Sequence, residues 1–381
     1  MSYFKELRHF FRFFYRTKTH DKRIVFYAEH EGYYVCFEGI IRELIQTHRT
    51  PISYVTSDVD DPLLTESPDG VHVFYLKSLL PYFMLLVKCR VFVMTLPDLH
   101  QFQFKRSMNP LHYVYVFHSM VSTHMMYRAG AFDHYDSILC IGPHHRNEIR
   151  AYEAQNGLQA KELVKAGYYR LERIHEQANH RTSDDSEPRT VLIAPSWGKA
   201  NLLESCGREL VGLLLEQGYR VIVRPHPETV RRDPDLIARL ESAFARQSRF
   251  QLERSVSTDD SLLAPDVLLC DLSGVALEYA FGTERPVLFF DVAPKVHNDE
   301  YFTLGLRPVE MELRGQLGEV IAVDELGTVP AAIKRLINQR EQYRSRLAQL
   351  RAEYVFDLGS SSWIGAAHIM RVTGEAEESV E

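Results

Sequence analysis

The feature that most constrains this chain is a series of short apolar runs, each ended by a turn, a polar residue or a proline. RIVFYAE (23–29), ISYVTS (52–57), VHVFYL (71–76), RVFVMT (90–95), YVYVFH (113–118) and SILCIG (137–142) form the first series. Stretches of helical spacing lie among them, as in FEGIIRELIQ (37–46) and HHRNEIRAYEAQ (144–155). Strands that are apolar on both faces and alternate with helices fit a parallel sheet covered on both sides. NHRTSDDSEPR (179–189) then interrupts with no apolar periodicity, as a linker does. The pattern restarts in TVLIAPS (190–196), RVIVRPH (220–226), VLLCD (267–271) and PVLFFD (286–291), with helices between. A charged helix follows Pro330, and a last helix runs over 362–374. A chain of 381 residues is in any case long for one core. The expectation is α/β, two Rossmann-like domains over 23–180 and 186–381, the last helix able to pack back on the first.

Composition narrows the function. Hydrophobic content of 45% with 25% charged residues is that of an ordinary globular protein. A net charge of −7 excludes a protein that coats nucleic acid, so any anion site must be local. Cys36, Cys89, Cys140, Cys206 and Cys270 are odd in number and lack CxxC spacing, which reads as buried free thiols.

Residues 1–22 are different in kind. The first 23 residues hold seven Lys and Arg against Glu6 and Asp21, and seven aromatics. Phe4, Leu7, Phe11 and Phe14 share one helical face, with Lys5, Arg8, Arg12 and Arg16 elsewhere. Such a helix suits an anionic membrane surface on the cytoplasmic face of the inner or plasma membrane; the alternative is packing on its own domain.

Open α/β domains hold ligands at the carboxyl ends of their strands. There the chain places Ser196, then Arg224-Pro225-His226-Pro227, then Asp271-Leu272-Ser273-Gly274, and His118 in the first half. If the domains face each other, these ends line one cleft. Ser273 and Gly274 open a helix, where free N–H groups and a hydroxyl make an anion site; plain N-capping by Ser273 is the structural alternative. Glu278 lies within reach of ribose hydroxyls. Arg224 and His226 are held stiffly around Pro225, as a leaving phosphate requires, or form only a rigid turn. His118 is the candidate general base. His124, His144 and His145 match no zinc spacing, and Asp58-x-Asp60 in SDVDDP resembles the metal motif of other transferases but lies far from the second cluster. No metal and no cofactor is expected.

APSWG, RPHP and DVLLCDLSGVALEYAFGTERPVLFF resemble, in order and spacing, the CDP-glycerol glycerophosphotransferase family of teichoic-acid primases and polymerases. The resemblance covers roughly 113–300 and is clearest over 190–291. It implies two facing Rossmann-like domains of the GT-B type, peripheral to a membrane. It also implies transfer of glycerol phosphate from CDP-glycerol to a lipid-linked glycan, with His118 and His226 catalytic. Arg224, Ser196, Asp271, Ser273, Gly274 and Glu278 would bind the donor. Ser119 stands where the family has glycine, and Gly274 where it usually has a second phosphate-binding serine. A nucleotide-sugar glycosyltransferase of the same fold, or a non-catalytic nucleotide-binding scaffold, are the other readings.

Overall fold

The computed structural model describes residues 2–181, 188–198, 201–254 and 259–374; the middle of the expected linker, 182–187, lies outside the described residues. The chain forms two compact units. The first takes Met1–His118, Tyr127–Arg170 and the chain from Val355 on; the second takes Ser119–Met126 and Leu171–Tyr354.

In the first unit, β1 (Ile24–Ala28), β2 (Ile52–Thr56), β3 (Val71–Tyr75), β4 (Val91–Met94), β5 (His112–Val116), β6 (Ser137–Cys140) and β7 (Glu162–Lys165) form a parallel sheet in the order β3-β2-β1-β4-β5-β6-β7. β1 and β4 are buried throughout, because helices cover both faces at the centre of the sheet. α1 spans Ser2–Phe11, α2 Tyr34–Gln46 and α3 Leu80–Leu86. One side of α2, from Val35 through Ile40 to Leu44, joins the core. The last helix, Ser361–Thr373, packs against α2 in this unit. The approach is close because Gly39 and Gly365 lack side chains: a Cβ on Gly365 would lie 2.8 Å from Ile40 Cδ1. His368 Nε2 and His112 Nε2 both meet Ser137 Oγ at 2.8 Å and pin the helix to the sheet.

In the second unit, β8 (Thr190–Ile193), β9 (Arg220–Val223), β10 (Phe250–Leu252), β11 (Val267–Cys270), β12 (Val287–Asp291) and β13 (Gly318–Ala322) are parallel in the order β10-β9-β8-β11-β12-β13. Strand order reverses between β8 and β11, so the crevice at their carboxyl ends is the place for a ligand.

The expected boundary at residues 180–186 is corrected. Leu171 and Ile174, in the helix Tyr169–His180, press onto Gly282 of the second unit, and the division falls at Arg170. Residues 119–126 also belong to the second unit. The Ser122 hydroxyl and N–H donate to the Glu310 carboxylate at 2.8 and 2.9 Å, and Asn298 Nδ2 donates to the His124 carbonyl at 2.9 Å.

The N-terminal helix is turned over relative to its apolar periodicity. Glu6, His9 and Phe13 are its buried residues. Glu6 Oε1 accepts from the Lys77 and Leu79 N–H groups at 2.6 Å, and His9 Nδ1 accepts from Tyr75 N–H at 2.8 Å. A π-type turn over Arg12–Arg16 follows, and Phe13 packs edge-on against Phe83. Of the expected apolar face, Leu7 and Phe14 are half-buried, while Phe4 and Phe11 are exposed, as is Tyr15. Among the described residues no helix is long and apolar enough to cross a membrane. All five cysteines are buried and free.

Candidate active site

The candidate anion site is the start of the helix Gly274–Thr283, at the switch point of the second sheet. Ser273 occupies the N-cap position with extended backbone, but its side chain makes no capping bond. The simple capping alternative is therefore not what the chain adopts. The residue is 9% exposed and stands beside N–H groups that a helix cannot satisfy from within. Glu278 lies one turn further on and is buried.

Asp271 works behind this surface. Its carboxylate is buried and accepts from Ser196 N–H at 2.7 Å and, more weakly, from Leu202 N–H at 3.5 Å. Burial raises its pKa, and the hydrogen bonds from Ser196 and Leu202 pull it back. Asp271 and Ser196 thus fix the loop after β8 to the loop after β11 across the crevice. Arg224 is likewise buried, donating to Ser261 Oγ at 2.9 Å. These three residues shape the strand ends from within.

His226 caps the short helix Pro227–Arg232: its Nδ1 accepts from Glu228 N–H at 3.1 Å. The prolines explain the rigidity, since Pro225 fixes the turn and Pro227 takes the first helical position, where no N–H is needed. The imidazole stands 6.2 Å from the indole of Trp197, on the loop after β8.

Trp197 gathers a cationic group that sequence reasoning passed over. Lys295 Nζ sits 3.1 Å from the indole centroid and the Arg232 guanidinium carbon 4.4 Å, both within cation–π range, and the His297 ring lies 6.0 Å away. Lys295 has its pKa lowered to about 8, by burial first, with Arg232 adding to the shift and Glu228 and Asp271 opposing it. Among the described residues its ammonium makes no hydrogen bond. The signal was available: PKVHN follows the strand PVLFFD after only Val292 and Ala293, so Lys295 stands just past a carboxyl strand end like the others.

In the first unit His118 follows β5. Tyr168 donates its hydroxyl to the His118 carbonyl at 2.9 Å, and the Tyr33 ring meets the imidazole edge-on at 5.1 Å. Burial lowers its pKa to about 4; a hydrogen bond to the Thr95 backbone opposes this and the Arg170 charge assists it. Its Nδ1 is buried with no hydrogen-bond partner among the described residues. The imidazole is neutral at neutral pH, the form that accepts a proton.

The other sequence candidates are packed. His145 stacks on Phe117 at 3.7 Å, and His124 Nε2 meets the Leu306 carbonyl at 3.2 Å. Asp58 braces its own loop, accepting from Asp60 N–H at 3.1 Å and pairing with His30 at 3.6 Å. Among the described residues no group of three or more His, Cys, Asp or Glu is placed to hold a metal ion.

Residues 9–301 match the family described as CDP-Glycerol:Poly(glycerophosphate) glycerophosphotransferase, well over half of the chain. No curated protein sequence matches significantly. Among solved structures the chain is similar to the S. aureus MnaA–UDP co-structure, with a TM-score of 0.61 at 12% identity over 93% of this chain and 98% of that one. It is also similar to Methanocaldococcus jannaschii UDP-GlcNAc 2-epimerase in complex with UDP-GlcNAc and UDP, with a TM-score of 0.56 at 12% identity over 93% and 99%. A glycosyltransferase from Rickettsia africae gives 0.50 at 8% identity over 93% and 99%. At such identities the likeness shows the fold, two parallel-sheet domains of the GT-B type.

Proposed function

This chain belongs to the CDP-glycerol:poly(glycerophosphate) glycerophosphotransferase family and is a transferase, and on that premise we propose that it moves glycerol phosphate, or a related polyol phosphate, from a CDP-activated donor to a hydroxyl of a membrane-linked glycan or lipid during synthesis of a cell-surface polymer. The observation that carries the reading is Ser273, a residue only 9% exposed whose side chain makes no cap, at a helix start on the switch point of the second sheet. That is a place for a phosphate with no competing structural use.

In the reaction, the acceptor oxygen forms its bond to the β-phosphorus while the bond from that phosphorus to the bridging oxygen breaks. CMP leaves with the electron pair, and the hydroxyl proton passes to His118. Ser273 and the helix start hold a phosphate of the donor, and Glu278 takes the ribose hydroxyls. His226 steadies the departing phosphate, its orientation set by the cap it makes with Glu228. Lys295 and Arg232, parked on Trp197, supply positive charge for the group in transfer. Arg224, Asp271 and Ser196 act as positioning residues through their buried bonds.

The N-terminal segment supports work at the cytoplasmic surface of a membrane. Phe4 and Tyr15 are each 80% exposed, and Phe11 is 53% exposed, on a helix whose other side is clasped by Glu6 and His9. Lys5, Arg8 and Arg16 flank these rings. An exposed aromatic face with basic flanks suits the headgroup layer of anionic lipid.

The protein with CDP-glycerol and membrane extract should release CMP, and CDP should raise its melting temperature more than UDP or GDP. If UDP or GDP stabilises it and CDP does not, the donor is a nucleotide sugar and the same fold performs glycosyl transfer. If no nucleotide binds, the protein is a scaffold and the proposal fails.

A further inference from the structure

We infer that Ser119 supplies a second phosphate-binding hydroxyl to the helix start at Ser273, in place of a side chain at position 274. This deepens the proposed function and rests on it.

The argument begins with why residue 274 is glycine. Gly274 is the first residue of the helix, and it is not among the glycines with positive φ. Its backbone therefore makes no demand that alanine or serine could not meet. Space does. A Cβ built on Gly274 would run into the Ser119 hydroxyl and would stand 3.1 Å from Val121 Cγ1. The volume that a side chain at 274 would fill is occupied by the hydroxyl of another segment.

That segment is held firmly. Residues 119–126 are bound into the second unit by the Ser122–Glu310 bonds and by Asn298 on the His124 carbonyl. The placement of Ser119 at the helix start is thus part of the second unit's own packing. Two serines then converge there. Ser273 is 9% exposed and does not cap the helix, and among the described residues neither its hydroxyl nor that of Ser119 has a hydrogen-bond partner. Two unengaged hydroxyls beside the open N–H groups of a ten-residue helix form a site for a doubly bonded anion. The ligand class is a phosphate of a nucleoside diphosphate.

The test measures binding of CDP and of cytidine to the full chain by titration calorimetry, with melting temperatures. Ser119→Ala should weaken CDP about ten- to hundredfold, the usual effect of losing a hydrogen bond to a charged group. Cytidine, which lacks the phosphates, should bind as before. Gly274→Ser alone should lower the melting temperature, because its side chain meets Ser119. The reciprocal exchange, S119G with G274S, should recover stability and CDP affinity to within a few fold. If the unaltered protein binds CDP and Ser119→Ala binds it equally well, the inference falls and the proposed function stands. The same holds if Ser119→Ala weakens cytidine as much as CDP, or if the exchange recovers nothing over S119G. If the unaltered protein binds no nucleotide, both fall.

Discussion

At the scale of single residues, His226 and His118 should fail in different ways. His226 is a helix cap as well as the proposed phosphate contact, so alanine removes two things at once. Asparagine can keep the cap, since its carbonyl accepts from the same N–H. His226→Asn should therefore melt like the unaltered protein, lose about 10²-fold in turnover and bind CDP more weakly. His118→Ala should lose turnover by about 10²–10⁴-fold while CDP affinity is unchanged, because a base touches the acceptor proton and not the nucleotide. Turnover and CDP titration on the same preparations decide this, and normal turnover in His226→Asn would reduce RPHP to a rigid turn. Lys295 adds a pH dependence. Its lowered pKa of about 8 means the ammonium is present at pH 7 and lost as pH rises through about 8, with Glu228 and Asp271 holding the proton on and Arg232 driving it off. Donor KM should accordingly rise above about pH 8, and Lys295→Arg, charged throughout, should keep it flat to higher pH. The strand-end rule singled out Ser273 and His226 in the sequence because a serine or histidine there has few structural uses. It could not tell that Arg224 and Asp271 turn inward. That depended on Ser261, Ser196 and Leu202, whose neighbourhood no spacing reveals.

At the scale of elements, the sequence read best where burial is complete. β1, β4 and β11 are apolar on both faces and announce themselves as continuous runs. The strands that went unread, β7, β10 and β13, are all edge strands. ELVK, FQL and GEVIA are only partly buried, so selection for apolar residues is incomplete and the run disappears. The N-terminal helix shows the converse. Phe4 and Phe11 of its aromatic periodicity stay exposed, because a carboxylate and an imidazole on the other side satisfy backbone N–H groups around the end of β3. His9 makes that clasp pH-sensitive. Burial, with Arg12, Arg8 and Lys5, lowers its pKa from 6.5 to about 4, so the unfolded or undocked form binds the proton more readily. The docking energy is complete above about pH 6.5 and is lost as pH falls towards 4, on the order of 1–3 kcal/mol in all. Amide exchange at Tyr75 should quicken over that range, and His9→Gln should remove most of the dependence. For the exposed side, Phe4→Ser with Tyr15→Ser should release the protein from anionic vesicles and leave CDP binding intact. Equal partitioning of both forms would assign the aromatic face to something other than lipid.

At the scale of the whole molecule, the chain is more interleaved than its linear pattern suggests. Ending it after Tyr354 should leave the second unit able to bind CDP while the first loses the helix that covers α2. Ala366, Ile369 and Met370 are buried from that helix, so several kcal/mol of the first unit's stability should go with it, visible as a separate, earlier calorimetric transition. A single unchanged transition would mean the helix is dispensable packing. By itself the sequence determined the alternation of strands and helices, the two parallel sheets and the helix that opens at Ser273 and Gly274. These follow from local rules: apolar runs between turns have few ways to bury both faces, and a helix opening after a strand leaves its N–H groups free. Only the tertiary structure decided where one unit stops and the other begins. It also decided that residues 119–126 serve the second sheet, which side of the first helix is buried, and that Ser119 fills the space Gly274 leaves open. Those outcomes depend on contacts between residues far apart in the chain, from 71 positions for Glu6 with Lys77 to 188 for Ser122 with Glu310. Close packing selects such contacts by shape and volume, which a one-dimensional pattern does not carry.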